Sequence, residues 1–182
     1  EVREGDALKI LPTLTTHYSL LDTSYKLVGN IPYYITGKLL RIVSEMDEKP
    51  TLAVLMIQKE VADRLSAGIP DMNLLAAATQ IWAKPEVLAY LKPKDFNPPP
   101  EVDSAVIKLT NEPKIQEKSG LNAYYRLIKA IFKQPRKTVL NNLSTGLDIS
   151  KEQALEMLKK VGLTGQERPQ NLPLAVLITL SQ

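Results

Sequence analysis

Three short apolar runs, Lys26-Leu-Val-Gly29, Thr51-Leu-Ala-Val-Leu-Met-Ile57 and Ser104-Ala-Val-Ile-Lys-Leu109, set the tightest limit on what this chain can fold into. Each has the length of a strand buried in a sheet and is too short for a helix buried on all sides. Between the runs the apolar period becomes that of a helix. Leu39, Leu40, Val43 and Met46 follow Thr36 as the capping residue, and Leu74, Leu75, Ala78, Ile81 and Trp82 follow Asn73. Strand, helix, strand, helix predicts an α/β fold with a mainly parallel sheet and crossover helices. Beyond the polar stretch 111–120 the pattern is helical throughout. Leu121, Tyr124, Ile128 and Ile131 form one stripe, and Val139, Leu140 and Leu143 begin another. Ser150 and Gln153 are spaced as a capping box ahead of Ala154, Leu155, Leu158 and Val161, with Gly162 placed to end that helix. A last segment starts near Pro173 and carries Leu174, Leu177, Ile178 and Leu180. The chain is therefore expected to divide into an α/β part, residues 1–115, and a small all-α part, residues 116–182.

Composition narrows the chemistry. With no cysteine there is no disulfide, thiol catalysis or zinc-thiolate site, and His17, the single histidine, is read as a loop residue and not as a base. No metal is expected. No run of 18 apolar residues occurs and the first residues do not form a signal peptide, so the expectation is a cytoplasmic protein with no membrane partner. Charge is uneven. Residues 1–111 hold 12 Lys/Arg against 14 Asp/Glu, whereas residues 112–182 hold 11 against 6. From Lys118 to Leu147 there is no acid, and six bases stand there: Lys118, Arg126, Lys129, Lys133, Arg136 and Lys137. A one-sided basic surface of this kind suits a phosphate backbone. Tyr124 and Tyr125 lie at helical spacing within it and are read as core.

The stretch that carries chemistry is Asn30-Ile-Pro-Tyr33, which follows an apolar strand directly. Ligands of open α/β sheets collect at the carboxyl ends of strands. There the Asn30 amide oxygen and the Ile31 carbonyl can both accept from one amino group, with Pro32 stiffening the turn that aims them. Two acceptors draw the nitrogen lone pair out of conjugation with a ring and free it to attack an electrophilic methyl group. Tyr33 can stack on the base that carries the amine.

That box resembles the one in amino-methyltransferases, and the stretches around it resemble the small-subunit rRNA adenine dimethyltransferases of the KsgA type. Gly5-Asp-Ala-Leu8, Gln58-Lys-Glu-Val-Ala-Asp-Arg-Leu65, Phe96-Asn-Pro-Pro-Pro-Glu-Val-Asp-Ser-Ala-Val106 and Arg136-Lys-Thr-Val-Leu-Asn-Asn-Leu143 occur in the family's order across nearly the whole chain. The resemblance implies a class I, Rossmann-like methyltransferase domain with strand order 3-2-1-4-5-7-6, followed by a helical RNA-binding domain. It implies S-adenosyl-L-methionine as methyl donor, held by Asp6 through the adenine amino group and by Asn30. Asn30, Ile31 and Pro32 would address the target amine, and Tyr33 and Phe96 would clamp a flipped adenine. Lys129, Lys133, Arg136 and Lys137 would follow RNA phosphates. Lys59 and Arg64 are read as solvent-facing charges. The implied activity is N6,N6-dimethylation of adenosines in 16S rRNA of a pre-ribosomal particle, by a protein that is a monomer at full length.

Departures from the family are equally visible. Pro135 stands where a base is common and makes Arg136 the expected helix start, and Ile69-Pro-Asp-Met-Asn73 replaces the usual entry to the next helix. The family's glycine-rich turn after its first strand and the acidic residue ending its second have no counterpart ahead of a Val2-Arg-Glu4 strand pattern. The chain therefore reads as an N-terminally truncated piece of a longer enzyme, expected to bind cofactor poorly and to turn over little by itself. Three alternatives stand beside the first reading: an RNA-binding ribosome assembly factor with weak or lost catalysis, a large-subunit rRNA methyltransferase of the erythromycin-resistance type, and a DNA adenine methyltransferase.

Overall fold

The computed structural model describes residues 4–17 and 24–182; the Val2-Arg-Glu4 strand pattern lies largely outside them. Among the described residues there are four strands, β1 (Lys26–Asn30), β2 (Leu52–Gln58), β3 (Ala83–Leu91) and β4 (Ser104–Asn111), in one sheet of order β1-β2-β4-β3. The helices are α1 (Ala7–His17), α2 (Thr36–Glu45), α3 (Lys59–Leu65), α4 (Leu74–Gln80), α5 (Lys118–Ile131), α6 (Val139–Leu147), α7 (Lys151–Lys160) and α8 (Leu174–Leu180). His17 closes α1 and is no loop residue.

The chain separates into two compact units. One comprises Glu1–Asp63 and Ala83–Glu112, and the other Arg64–Trp82 and Pro113–Gln182. The change of composition near residue 115 coincides with the second crossing between units. The first crossing falls inside α3, so α4 groups with the C-terminal helices.

In the first unit β1 and β2 run parallel, while β4 is antiparallel to both β2 and β3. The expectation of a mainly parallel sheet is thus corrected: an apolar run says that a strand is buried and nothing of its direction. The order β1-β2-β4-β3 repeats the 4-5-7-6 half of the order that the resemblance implies. β2 and β4 have neighbours on both sides, and they hold the core: Leu55, Ile57, Ile107 and Leu109 are all buried. Each such side chain contributes about 2 kcal/mol through apolar burial. β3 pairs only with β4, and this edge position tolerates Pro85, which has no N–H to donate. On α2 the buried face is Thr36, Leu39, Leu40 and Val43, with Met46 just beyond the helix.

In the second unit α4 is capped by Asn73, whose side-chain oxygen accepts from the Ala76 N–H at 3.0 Å. Its buried face differs from the expected one. Ala76, Ala77 and Thr79 point inward with Ile81 and Trp82, while Leu74 is exposed. Small residues there leave room for Tyr124, which is fully buried and donates its hydroxyl to the Ala77 carbonyl at 3.0 Å. Burial pushes that hydroxyl far above the ordinary tyrosine range. Tyr125 donates to the Ala78 carbonyl at 3.4 Å and meets the Tyr124 ring edge-on, so both belong to packing. The capping box of α7 is formed in both directions, Ser150 N–H to Gln153 and Gln153 N–H to the Ser150 hydroxyl. Gly162 follows the helix at φ +77°, a conformation that costs a glycine little.

The turn before the last helix is closed by one carboxylate. Glu167 accepts from the Thr164 N–H and hydroxyl, both at 2.8 Å, and from the Gly165 N–H at 2.7 Å, while its own carbonyl accepts from Val139 N–H. Burial raises this carboxyl's pKa, but the donated hydrogen bonds outweigh it and hold the group below the ordinary carboxylate range. The stabilisation is therefore present above the unfolded-state pKa and is lost as pH falls through the lower folded value. Glu167→Gln is expected to cost about 1 kcal/mol near pH 7. In urea titrations at pH 7 and at stepwise lower pH, the gap between the two proteins should close in acid; a gap independent of pH would contradict this account.

Candidate active site

The site begins where β1 ends. Gly29 precedes the box at a position where a Cβ would meet Ile31 Cγ2 at 3.0 Å and Leu55 Cδ2 at 3.3 Å, so a side chain there would press on the turn. Asn30 is exposed, and its side chain has no hydrogen-bond partner among the described residues. Pro32 sets φ at −57° and turns the chain into a 3-10 turn, Tyr33–Ile35, closed by Ile35 N–H on the Pro32 carbonyl at 3.1 Å. This turn runs straight into α2, so Ile35 takes the capping position and Thr36 is the first helical residue. The expected Thr36 cap is thereby corrected. The Thr36 hydroxyl is buried and unpartnered.

Tyr33 is half-buried, and its hydroxyl lies 2.6 Å from the Ser104 Oγ. The sheet register explains the meeting. Asn30 stands opposite Met56, and two residues further along β2 Gln58 stands opposite Ser104, so Ser104 lies beside the turn that follows β1. Ser104 also faces Leu91, the last residue of β3. Residues 92–103 therefore form the hairpin loop between β3 and β4, and Phe96 is on it. Phe96 is half-buried and follows the 3-10 turn Pro93–Asp95, which is closed by Lys92 N–H on the Asp95 carboxylate at 2.8 Å. The neck of the loop is tied by Lys92 Nζ to Asp103 Oδ2 at 2.6 Å, and the Asp103 carbonyl accepts from Lys59 N–H at 2.9 Å. Asn30, Ile31, Pro32, Tyr33 and the Phe96 loop thus gather at the carboxyl end of β1 and β2.

Asp6 is placed at the start of α1, where its Oδ1 accepts from the Leu8 N–H at 2.9 Å and its carbonyl from Lys9 and Ile10. It caps a helix, and its exposed carboxylate keeps a second oxygen with no partner among the described residues. Lys59 is engaged rather than loose in solvent: its Nζ lies 2.7 Å from Asp63 Oδ2 and 5.2 Å above the Tyr90 ring, while the Tyr90 hydroxyl donates to Asp63 Oδ1 at 2.7 Å. Donation from Lys59, then from Tyr90, holds the Asp63 carboxyl below its usual range. Sequence reasoning passed over Ser104, Asp63 and Tyr90. The pairings of Tyr90 and Ser104 reach across 27 and 71 residues, and only strand pairing could have announced them.

The basic residues lie in the other unit. Lys129 is in the last turn of α5, Lys133 just beyond it, and Arg136 and Lys137 in the turn ahead of α6; all are exposed. Arg136 does not start that helix. Thr138 caps α6, accepting from Asn141 N–H, because its hydroxyl supplies the acceptor that Arg136 lacks. The turn is fixed from beneath by buried Asn142, whose Oδ1 accepts from Gln134 N–H at 3.1 Å and whose Nδ2 donates to the Gln134 carbonyl at 2.9 Å. Among the described residues no cluster of acids and histidine suits a metal ion, and no helix is long and apolar enough to cross a membrane.

The sheet order, the free asparagine amide after β1 and the aromatic turn behind it define a class I methyltransferase fold with an amine-facing box. Residues 1–181 match the family model for ribosomal RNA adenine dimethylase, and the chain belongs to that family. It is 39% identical over 150 residues to the ribosomal RNA small subunit methyltransferase A of Dehalococcoides mccartyi, covering 81% of this chain and 51% of that protein. With the methyltransferase A of Caldanaerobacter subterraneus it shares 37% over 176 residues, covering 94% and 63%. The chain spans about half the length of the first relatives it matches. Among solved structures, a dimethyladenosine transferase from Plasmodium falciparum matches with a TM-score of 0.76 at 26% identity, covering 99% of this chain and 70% of that one. The 23S rRNA methyltransferase ErmE matches at 0.66 and 18%, covering 98% and 78%, a likeness of fold alone.

Proposed function

We propose that the protein dimethylates N6 of adenosines in small-subunit rRNA within a pre-ribosomal particle in the cytoplasm. The observation that carries this reading is the unpartnered Asn30 amide at the carboxyl end of β1, followed at once by a tyrosine ring anchored to the neighbouring strand. Asn30 and the Ile31 carbonyl accept from the N6 amino group and orient its lone pair. Pro32 holds the two acceptors in one turn. Tyr33 and Phe96 stack on the extruded base and keep water from the amine. S-adenosyl-L-methionine, when bound, supplies the electrophilic methyl group. The donor set fits it: the Asp6 carboxylate offers an acceptor to an adenine amino group, and the Asn30 amide has no competing partner.

Lys129, Lys133, Arg136 and Lys137 contact phosphates and so give affinity without sequence preference. Replacing Arg136 and Lys137 together by glutamine is expected to weaken RNA binding alike for unrelated sequences. It should also reduce the slope of log affinity against log salt by roughly 1 to 2. An unchanged slope in filter-binding titrations would remove these residues from the RNA surface.

The activity itself is tested with undermethylated small ribosomal subunits and labelled S-adenosyl-L-methionine, using this chain and a version extended to the length of its relatives. Labelled N6,N6-dimethyladenosine from the extended version supports the reading. RNA binding with no methylated product from either would replace it by an assembly-factor role.

A further inference from the structure

We infer that Ser104 is a positioning residue for the stacking tyrosine: its hydroxyl fixes the Tyr33 ring in place before a base arrives. The inference rests on the methyltransferase reading for its consequence, and on the geometry of one unit for its cause. A tyrosine in a short 3-10 turn is held by backbone at one end only, and its ring is free to swing about two side-chain torsions. Here the far end is held as well, by the 2.6 Å contact with Ser104 Oγ. The anchor is itself immobile. Ser104 is fully buried and stands between Gln58 of β2 and Leu91 of β3, with the sheet on both sides.

Ser104 is also out of character for its strand. Ala105, Ile107 and Leu109 are buried and apolar, so a buried hydroxyl at the head of this run costs stability unless it is hydrogen-bonded. Its side-chain partner among the described residues is the Tyr33 hydroxyl. The bond joins the turn that carries the amine acceptors to the end of the loop that carries Phe96, since Ser104 directly follows that loop. One hydrogen bond therefore sets two walls of the base pocket relative to each other. A ring already ordered loses less freedom when a base stacks on it, and an aligned base meets the amine acceptors in register.

The test uses the extended protein in the methylation assay, with Tyr33→Phe, Ser104→Ala, Ser104→Thr and the double variant Tyr33→Phe/Ser104→Ala. Tyr33→Phe keeps the stacking ring and removes only the bond. Each of the first two variants is expected to lower kcat about tenfold, with the KM for the ribosomal particle nearly unchanged. The double variant should be no worse than either single one, and Ser104→Thr, which keeps a hydroxyl, should restore most of the rate. Losses that multiply in the double variant, or a Ser104→Ala protein with normal kcat, overturn the inference. Ring-flip rates of Tyr33, measured by NMR on the 182-residue chain, read the cause without turnover. They should rise in Ser104→Ala, and an unchanged rate overturns the inference whatever the assay gives. Failure of the methyltransferase reading looks different: the ring responds to Ser104→Ala, but no variant or parent makes product.

Discussion

Replacing Asn30 by alanine is expected to lower methyl transfer by at least about 100-fold while leaving RNA affinity within about twofold, when both are measured on the protein extended to the length of its relatives. The size follows from what the side chain does. A neutral aromatic amine is a poor nucleophile because its lone pair is shared with the ring, and two acceptors on its hydrogens reverse this sharing. Asn30 supplies one acceptor and the Ile31 carbonyl the other, so the alanine variant keeps only half of the arrangement. Removing one preorganised hydrogen-bonding group from a reacting centre typically costs 100-fold to 1000-fold, about 3 to 4 kcal/mol in the barrier. Nothing else near the strand end can stand in: Tyr33 is committed to Ser104, and Thr36 is buried. Affinity should survive because it comes from phosphate contacts on basic residues of the other unit, none of which touches Asn30. Asn30→Asp is the stricter variant, since it keeps an acceptor and adds a charge. It should retain more activity than alanine, and equal loss in both would argue that Asn30 acts by donating its amide hydrogens.

What the sequence disclosed follows from how local each feature is. The Asn30 box was legible because its four residues are contiguous and the strand ahead of it is apolar. Its anchor was not, because Ser104 reads simply as the first residue of an apolar run until β2 and β4 are paired in register. β3 escaped for a different reason. Lys84, Pro85 and Glu86 interrupt any apolar pattern, and an edge strand with one partner needs no continuous apolar run. Missing β3 also hid the hairpin and thus the antiparallel half of the sheet. In the second unit the caps at Asn73 and Ser150 and the end at Gly162 were readable from single residues. The inward face of α4 was misread because the largest side chains were assumed to be the buried ones. There the alanines are inward, and the volume is filled by Tyr124 from α5.

The same reasoning about small residues gives the second large effect, at Gly146. A methyl group on this residue of α6 would lie 2.5 Å from the Ala130 Cβ and 2.7 Å from the Ala130 Cα of α5. Two forces oppose each other in Gly146→Ala. Helix propensity favours alanine by about 1 kcal/mol, and on an ordinary helix surface that would win. Here the nearest atoms include backbone, which has no rotamer to move, so the two helices must part along their contact. Parting withdraws Ile128, Ile131, Val139 and Leu143, all fully buried, from one another's neighbourhood. Overpacking of this kind costs about 1 to 3 kcal/mol, and against a close-packed interior the upper part of that range applies. The net expectation is a loss of about 2 kcal/mol in chemical denaturation, with the midpoint shifted and the slope unchanged. Ala130→Gly should cost about 1 kcal/mol alone through propensity, yet should recover stability when added to Gly146→Ala, because it removes the methyl group that Gly146→Ala strikes. A Gly146→Ala chain more stable than the parent would mean that α5 and α6 separate at no cost, and that the glycine is there for a reason other than close approach.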